Sequence, residues 1–251
     1  MFVPSLIYHQ SCQSNCQLYL PDTFGMLCWN VYKKNNKHPD FHPFVGTLIE
    51  KKPIDLLLFQ EANFKNNGTC VFPGFSFDAA ANLELKGKFY GVLTAGKAKS
   101  ENPQAYLSKE REGILGSHKS LLLCNYRFRD GTTLLVLNIH AINFRENQRY
   151  IEELDIIYSY VQKHEGPMIV SGDFNSWNAK RMQKLQGLKD LLSLRSVTFA
   201  ESSSIKSFMG HQLDFIFYRG LDLLDSSVID GQGLSDHNPL FAQFRSRKKA
   251  P

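Results

Sequence analysis

Apolar positions along the chain fall into two kinds of run. Short continuous stretches occur at 25–31 (GMLCWNV), 54–61 (IDLLLFQE), 133–140 (TLLVLNIH), 167–175 (PMIVSGDFN), 213–219 (LDFIFYR) and 238–244 (NPLFAQF), each of strand length and bounded by polar or turn-forming residues. FYGVLTA (89–95) and SLLLCNYRF (120–128) read the same way, and Arg129-Asp130-Gly131 predicts a turn joining the second of them to TLLVLNIH. Helical spacing appears in Phe41, Phe44, Val45, Leu48 and Ile49 up to the stop at Pro53, in Ile151, Leu154, Tyr158 and Val161, and in Met182, Leu185 and Leu188 across Gly187.

Two strand–helix–strand units follow from that order, at 25–61 and 133–175. The strands are apolar without alternation, as in Leu56-Leu57-Leu58-Phe59, which requires that both faces of each sheet be covered. A layered α/β architecture is expected, with strands held between helices or between sheets. Residues 1–24, rich in Gln, Ser and Asn, predict an irregular arm; 97–119 and 200–210 read as polar loops, and 246–251 as a basic tail. The core domain is expected at 25–245.

Composition adjusts this picture little. The 251 residues are 43% hydrophobic and 21% charged, enough for one substantial core. The net charge of +5 favours a polyanionic partner only weakly, because Lys33, Lys34 and Lys37, and Arg245, Arg247, Lys248 and Lys249, read rather as solubilising runs. Five cysteines at irregular spacing predict no disulfide framework, and Cys12 and Cys16 have no partner pair at metal-finger spacing. No apolar run reaches membrane-spanning length and the opening carries no secretory pattern, so a cytoplasmic monomer is expected.

The chemistry lies where strands end. Asn30 closes one apolar run, Gln60 and Glu61 the next, Asn138 and His140 a third, and Asp173 and Asn175 a fourth; Asp214 opens LDFIFYR, and Asp236-His237 precede NPLFAQF. Taken singly, each reads as a turn or cap residue. In an α/β sheet, however, strand ends on one side converge on a crevice. Glu61, Asp173, Asp214 and Asp236 would then crowd one cleft, at a cost in repulsion and desolvation that a cation relieves. Oxygen donors without thiolates suit Mg2+ or Mn2+. No G-x-x-x-x-G-K-[ST] loop is present, so hydrolysis of a phosphoester is favoured over NTP-driven transfer.

The blocks WNV, QE (60–61), NIHAIN (138–143), GDFN (172–175), LDFIF (213–217) and SDH (235–237) occur in an order that resembles the endonuclease/exonuclease/phosphatase superfamily, and WNVYK, NIHAINF and SDHNPL resemble its bacterial YafD-like branch. The resemblance covers about 25–245 and implies a four-layer α/β/β/α sandwich, DNase I-like, with two mixed β-sheets flanked by helices. It implies Glu61 as metal ligand, with Asn30 beside the metal. Asp173 matches the acid that activates water, Asn175 and Asn143 match phosphate contacts, and His140 lies near the leaving group or phosphate. Asp236 matches an acid that contacts metal or supports the histidine, Asp214 an orienting acid, and His237 the phosphate-binding or acid/base histidine.

Two departures matter. Tyr32 stands where many nucleases of the family carry a second acid, which favours one metal over two, and 97–119 differs from DNA-inserting loops of repair enzymes, leaving Lys119 as a phosphate contact or a structural pair. The expected function is a Mg2+-dependent phosphodiesterase or phosphatase acting on nucleic acid. The alternatives are lipid headgroups or small phosphorylated molecules as substrates, and a catalytically silent binding domain. Tyr32, Phe144, Phe174 and Trp177 are candidates for base stacking or for the core.

Overall fold

The computed structural model describes residues 6–10, 17–65, 72–111, 118–143 and 146–247. Two sheets pack face to face. In the first, the spatial order is β1 (Leu6–Gln10), β4 (Ser76–Leu85), β5 (Lys88–Gly96), β3 (Ile54–Lys65), β2 (Thr23–Asn30), β15 (Leu240–Ser246) and β14 (Leu221–Val228). In the second it is β10 (Arg195–Ser196), β13 (Asp214–Arg219), β9 (Met168–Asp173), β8 (Thr133–His140), β7 (His118–Arg127) and β6 (Glu101–Arg111). A short hairpin of β11 (Ser207–Phe208) and β12 (His211–Gln212) stands apart.

Among the strands of the described residues, β2 with β3 and β8 with β9 pair in parallel, joined by α1 (Phe41–Lys51) and α2 (Asn147–Val161) respectively; α3 (Ala179–Leu191) follows β9. These are the two strand–helix–strand units predicted from periodicity, and the expected four-layer sandwich is the fold observed.

Alternation explains why the strands look uniformly apolar. Met26, Cys28, Leu56, Leu58, Leu134, Val136, Ile169 and Ile216 point between the sheets into one core. Their neighbours Leu27, Trp29, Leu57 and Phe59 pack outward with Phe41, Val45 and Leu48 of α1. Leu135, Leu137, Met168 and Val170 pack outward with Leu154, Ile157, Leu185 and Leu188 of α2 and α3. Both faces of the central strands are therefore dry, as their composition requires.

Several segments differ from expectation. The arm read as irregular contributes β1, which pairs antiparallel with β4, and its Leu20 is fully buried. β4 was hidden because Asp78 and Asn82 interrupt an alanine-rich stretch; Asp78 is buried inside a polar knot with Ser100 and Cys124. Much of the loop expected at 97–119 is β6, an edge strand whose polar sequence and Pro103 suit a position with one pairing side open. The 200–210 loop holds a 3-10 turn, Ser202–Ser204, and β11. On α2 the buried stripe is Tyr150, Leu154, Ile157 and Val161, leaving Ile151 and Tyr158 at its margin. Cys12 and Cys16 lie outside the described residues.

Candidate active site

The face that carries the inter-sheet core turns polar at one end. Along β8 it runs Leu134, Val136, Asn138, His140; along β9 Ile169, Ser171, Asp173; along β13, read backward, Tyr218, Ile216, Asp214; along β2 Met26, Cys28, Asn30. Register sets His140 beside Asp173, and Asp173 beside Asp214, on three adjacent strands. The acid that ends β9 thus occupies the last rung of the same ladder that buries Ile169.

Asn138 and Gln60, one rung below, do not reach the cleft. Gln60 Nε2 donates to Asn138 Oδ1 at 2.6 Å, while Asn138 Nδ2 donates to Phe59 O, Leu93 O and Thr94 Oγ1. They tie one sheet to the other beneath the site.

A cleft of about 320 Å3 opens above them, lined by Glu61, Lys119, His140, Asn143, Asp173, Asn175, Asp236 and His237. Asn30 and Asp214 stand behind it, hydrogen-bonded to lining residues. All ten residues singled out from the sequence therefore meet in one place. Among those that periodicity did not reveal are Lys206, whose Nζ donates to Asp236 Oδ2 at 3.0 Å, and Ser235 and Arg181.

Backbone geometry aims the groups. Glu61 sits at φ +51° where β3 bulges against β5, which turns its side chain from the strand face into the cleft. Gly172 has φ +146°, and a Cβ there would lie 1.9 Å from Ile139 O, so only glycine lets β9 approach β8 so closely just before Asp173. Trp29 Nε1 donates to His237 O at 2.8 Å and Ser235 Oγ to Asn30 O at 2.6 Å, which clamps the 235–237 loop onto the end of β2. Arg181, fully buried on α3, donates to Ile142 O and Asn175 O, both at 3.0 Å, and holds the two loops that follow β8 and β9.

Asp173 Oδ2 accepts from Asn30 Nδ2 at 3.0 Å and Oδ1 from the Asn175 amide at 3.0 Å. Burial, with the charge of Asp214 added, pushes this carboxyl up to about 7 against the opposing pull of His237, Lys119 and the Asn175 N–H. His237 Nδ1 donates to Asp214 Oδ2 at 2.7 Å and its Nε2 faces Asp173 Oδ2 at 4.0 Å. Burial would lower the imidazole, but Asp214, then Asp173 and Asp236, outweigh it and hold it at about 9. His140 goes the other way: burial, then Lys119 and His237, keep it well below its ordinary value. The ring is neutral and accepts from Lys119 Nζ at 2.9 Å, so its 3.7 Å and 3.8 Å approaches to Asp173 and Glu61 are not ion pairs. Partial burial would raise Asp236, yet Lys206 and His237 hold it below the usual carboxylate range.

The donor set suits a hard cation. Glu61 keeps its carboxylate 20% exposed in the cleft, with Lys33 at 3.7 Å and His140 at 3.8 Å as its partners among the described residues. The oxygens of Asp173 and Asp214 and a nitrogen of His237 lie within 4.8 Å of one another and also meet the numerical demand of a metal cluster. The 2.7 Å bond between His237 and Asp214 already commits those two groups to each other, however, which marks a hydrogen-bonded relay. Asp214 Oδ1 remains buried without a hydrogen-bond partner among the described residues.

Aromatic side chains divide. Tyr32, 53% exposed, Phe208, 49% exposed, and Trp177 flank the cleft, whereas Phe174 is fully buried under α2 and α3 and Phe144 lies outside the described residues. From Tyr32 a second open groove of about 340 Å3 continues along Lys33, Lys34, Lys37 and His38.

Comparison with known proteins agrees with this fold. A UPF0294 protein of Yersinia enterocolitica is 42% identical over 233 residues, covering 90% of this chain and 86% of that protein. An endonuclease/exonuclease/phosphatase family protein from Leptotrichia buccalis superposes with a TM-score of 0.64 at 15% identity, covering 88% of this chain and 99% of that one. The human Nocturnin catalytic domain, solved with a bound sulfate anion, gives a TM-score of 0.61 at 16% identity, covering 90% and 95%. With residues 27–237 matching the model of the Endonuclease/Exonuclease/phosphatase family, a span that runs from the core of β2 through His237, the chain belongs to that family of phosphoester hydrolases.

Proposed function

We propose that the protein is a Mg2+-dependent phosphodiesterase that cleaves the backbone of nucleic acid. The observation that carries the reading is the continuity of the acidic catalytic cleft with the lysine-lined groove through Tyr32. A small phosphoester needs only the cleft. A polyanion several phosphates long gains from Lys33, Lys34 and Lys37 beside it, and from aromatic faces at its rim.

Glu61, Asn30 and Asp236 are the residues that would hold the ion, Mn2+ being the other hard cation their oxygens accept. When bound, it supplies Lewis-acid polarisation of the phosphoryl group and neutralises charge on the leaving oxygen. The protein's own groups do the rest. Asp173, oriented by Asn30 and the Asn175 amide, accepts a proton from the attacking water; its raised value makes it a stronger base than an ordinary carboxylate. His237, charged and held by Asp214, donates from Nε2 to a non-bridging phosphate oxygen and stabilises the transition state. Lys119, neutral His140 and Asn143 line the same cleft and would contact that phosphate.

The test offers duplex, single-stranded and abasic DNA, RNA and phospholipid to the purified protein with Mg2+ or with EDTA, using Asp173→Asn as control. Cleavage of a nucleic acid that EDTA and the substitution both abolish is the expected result. Turnover of phospholipid alone would overturn the substrate class, and turnover unaffected by either treatment would overturn the mechanism.

A further inference from the structure

A cavity of about 400 Å3 opens on the outer face of the first sheet, beside the first turn of α1 and away from the catalytic cleft. Its walls include Phe41, Phe59, Phe64, Phe72 and Phe77, all buried, and Leu93. Volume and lining are those of a small-molecule site.

Its polar groups narrow the occupant. Lys65 and Lys88 line the cavity and stand directly opposite each other across the antiparallel pair of β3 and β5. Like charges in that position repel. Both are exposed, and neither forms an ion pair among the described residues. His42 also lines the cavity; its Nε2 lies 3.3 Å from Asn36 Oδ1, while its Nδ1 is closed off from solvent without a hydrogen-bond partner among the described residues. A cage of aromatic rings also suits a quaternary ammonium. Two ammonium groups at this one exclude it.

We propose that this cavity binds a small amphipathic anion, an acyl carboxylate whose apolar body lies among the phenylalanine rings and whose head group bridges Lys65 and Lys88. Such a ligand removes the repulsion between the lysines. Nothing in this depends on what the catalytic cleft hydrolyses.

Calorimetric titration of the full chain with decanoate, decanol and decyltrimethylammonium tests it. Decanoate is expected to bind saturably at one site. Lys65→Ala with Lys88→Ala, on exposed side chains, should weaken decanoate about tenfold and leave decanol unchanged. Leu93→Trp, which fills the cavity, should abolish binding of both, with thermal melting as the check on its folding. Absence of saturable decanoate binding overturns the proposal. So does tighter binding of the ammonium analogue, or binding that survives the lysine substitutions undiminished.

Discussion

Asp173 is under opposing demands. It is 3% exposed and hydrogen-bonded on both oxygens, yet burial and Asp214 push its titration up to about 7. An acid raised in the native state binds its proton more tightly there than in the unfolded chain. The resulting penalty is absent below the ordinary carboxylate range, grows as pH rises, and is complete above about 7. Asp173→Asn should therefore raise Tm at pH 8 by on the order of 5 °C and change it little at pH 4, while hydrolysis is lost. A variant that melts lower at pH 8 would show that the carboxylate stabilises the fold. His237 has the reverse sign, since a raised imidazole contributes stability that is full below its ordinary value of 6.5 and is lost as pH rises through about 9. Asp214→Asn removes the main opponent of burial, so the ring should be neutral at pH 8 by NMR and turnover should fall by about 100-fold. A ring still charged at pH 8 would mean that Asp173 and Asp236 suffice without Asp214.

At the scale of elements, strand tips gather the candidate site residues and glycine sets how closely they meet. Gly172→Ala would drive a methyl into Ile139 O and place alanine at φ +146°, separating β8 from β9 and with them His140 from Asp173. A loss of more than about 3 kcal/mol is expected in denaturant melts. Gly46→Ala on α1 meets nothing within 4 Å and should gain about 0.5–1 kcal/mol. Equal effects would deny the close approach its role. The same elements show what was legible in advance. β2, β3, β8, β9 and their helices follow from periodicity because both faces of these strands are dry over the middle of each run, with polar residues gathered toward the ends. β4 and β6 escaped, one because Asp78 is satisfied by partners remote in sequence, the other because an edge needs little apolar character. Among site groups, Asp173 and His140 stood out as polar ends of apolar runs. Arg181 and Lys206 did not, since an arginine on a helix and a lysine in a serine-rich loop acquire meaning only from what the fold brings against them.

Over the whole molecule the net charge of +5 matters less than where part of it lies, along the groove that leaves the cleft. Binding of single-stranded DNA should weaken steeply with salt, and replacing Lys33, Lys34 and Lys37 by alanine should reduce the logarithmic slope by about one for each lysine that contacts a phosphate. An unchanged slope would place the nucleic acid elsewhere. The paired amides of Gln60 and Asn138 have a further effect. Asn138→Leu takes from the Gln60 amide its 2.6 Å acceptor and should cost about 1–3 kcal/mol although it touches no reacting group. The two amides mark a waterline in the sandwich: solvent that enters to be consumed in hydrolysis stops at a polar floor that is already satisfied, and the hydrocarbon below stays dry through every turnover.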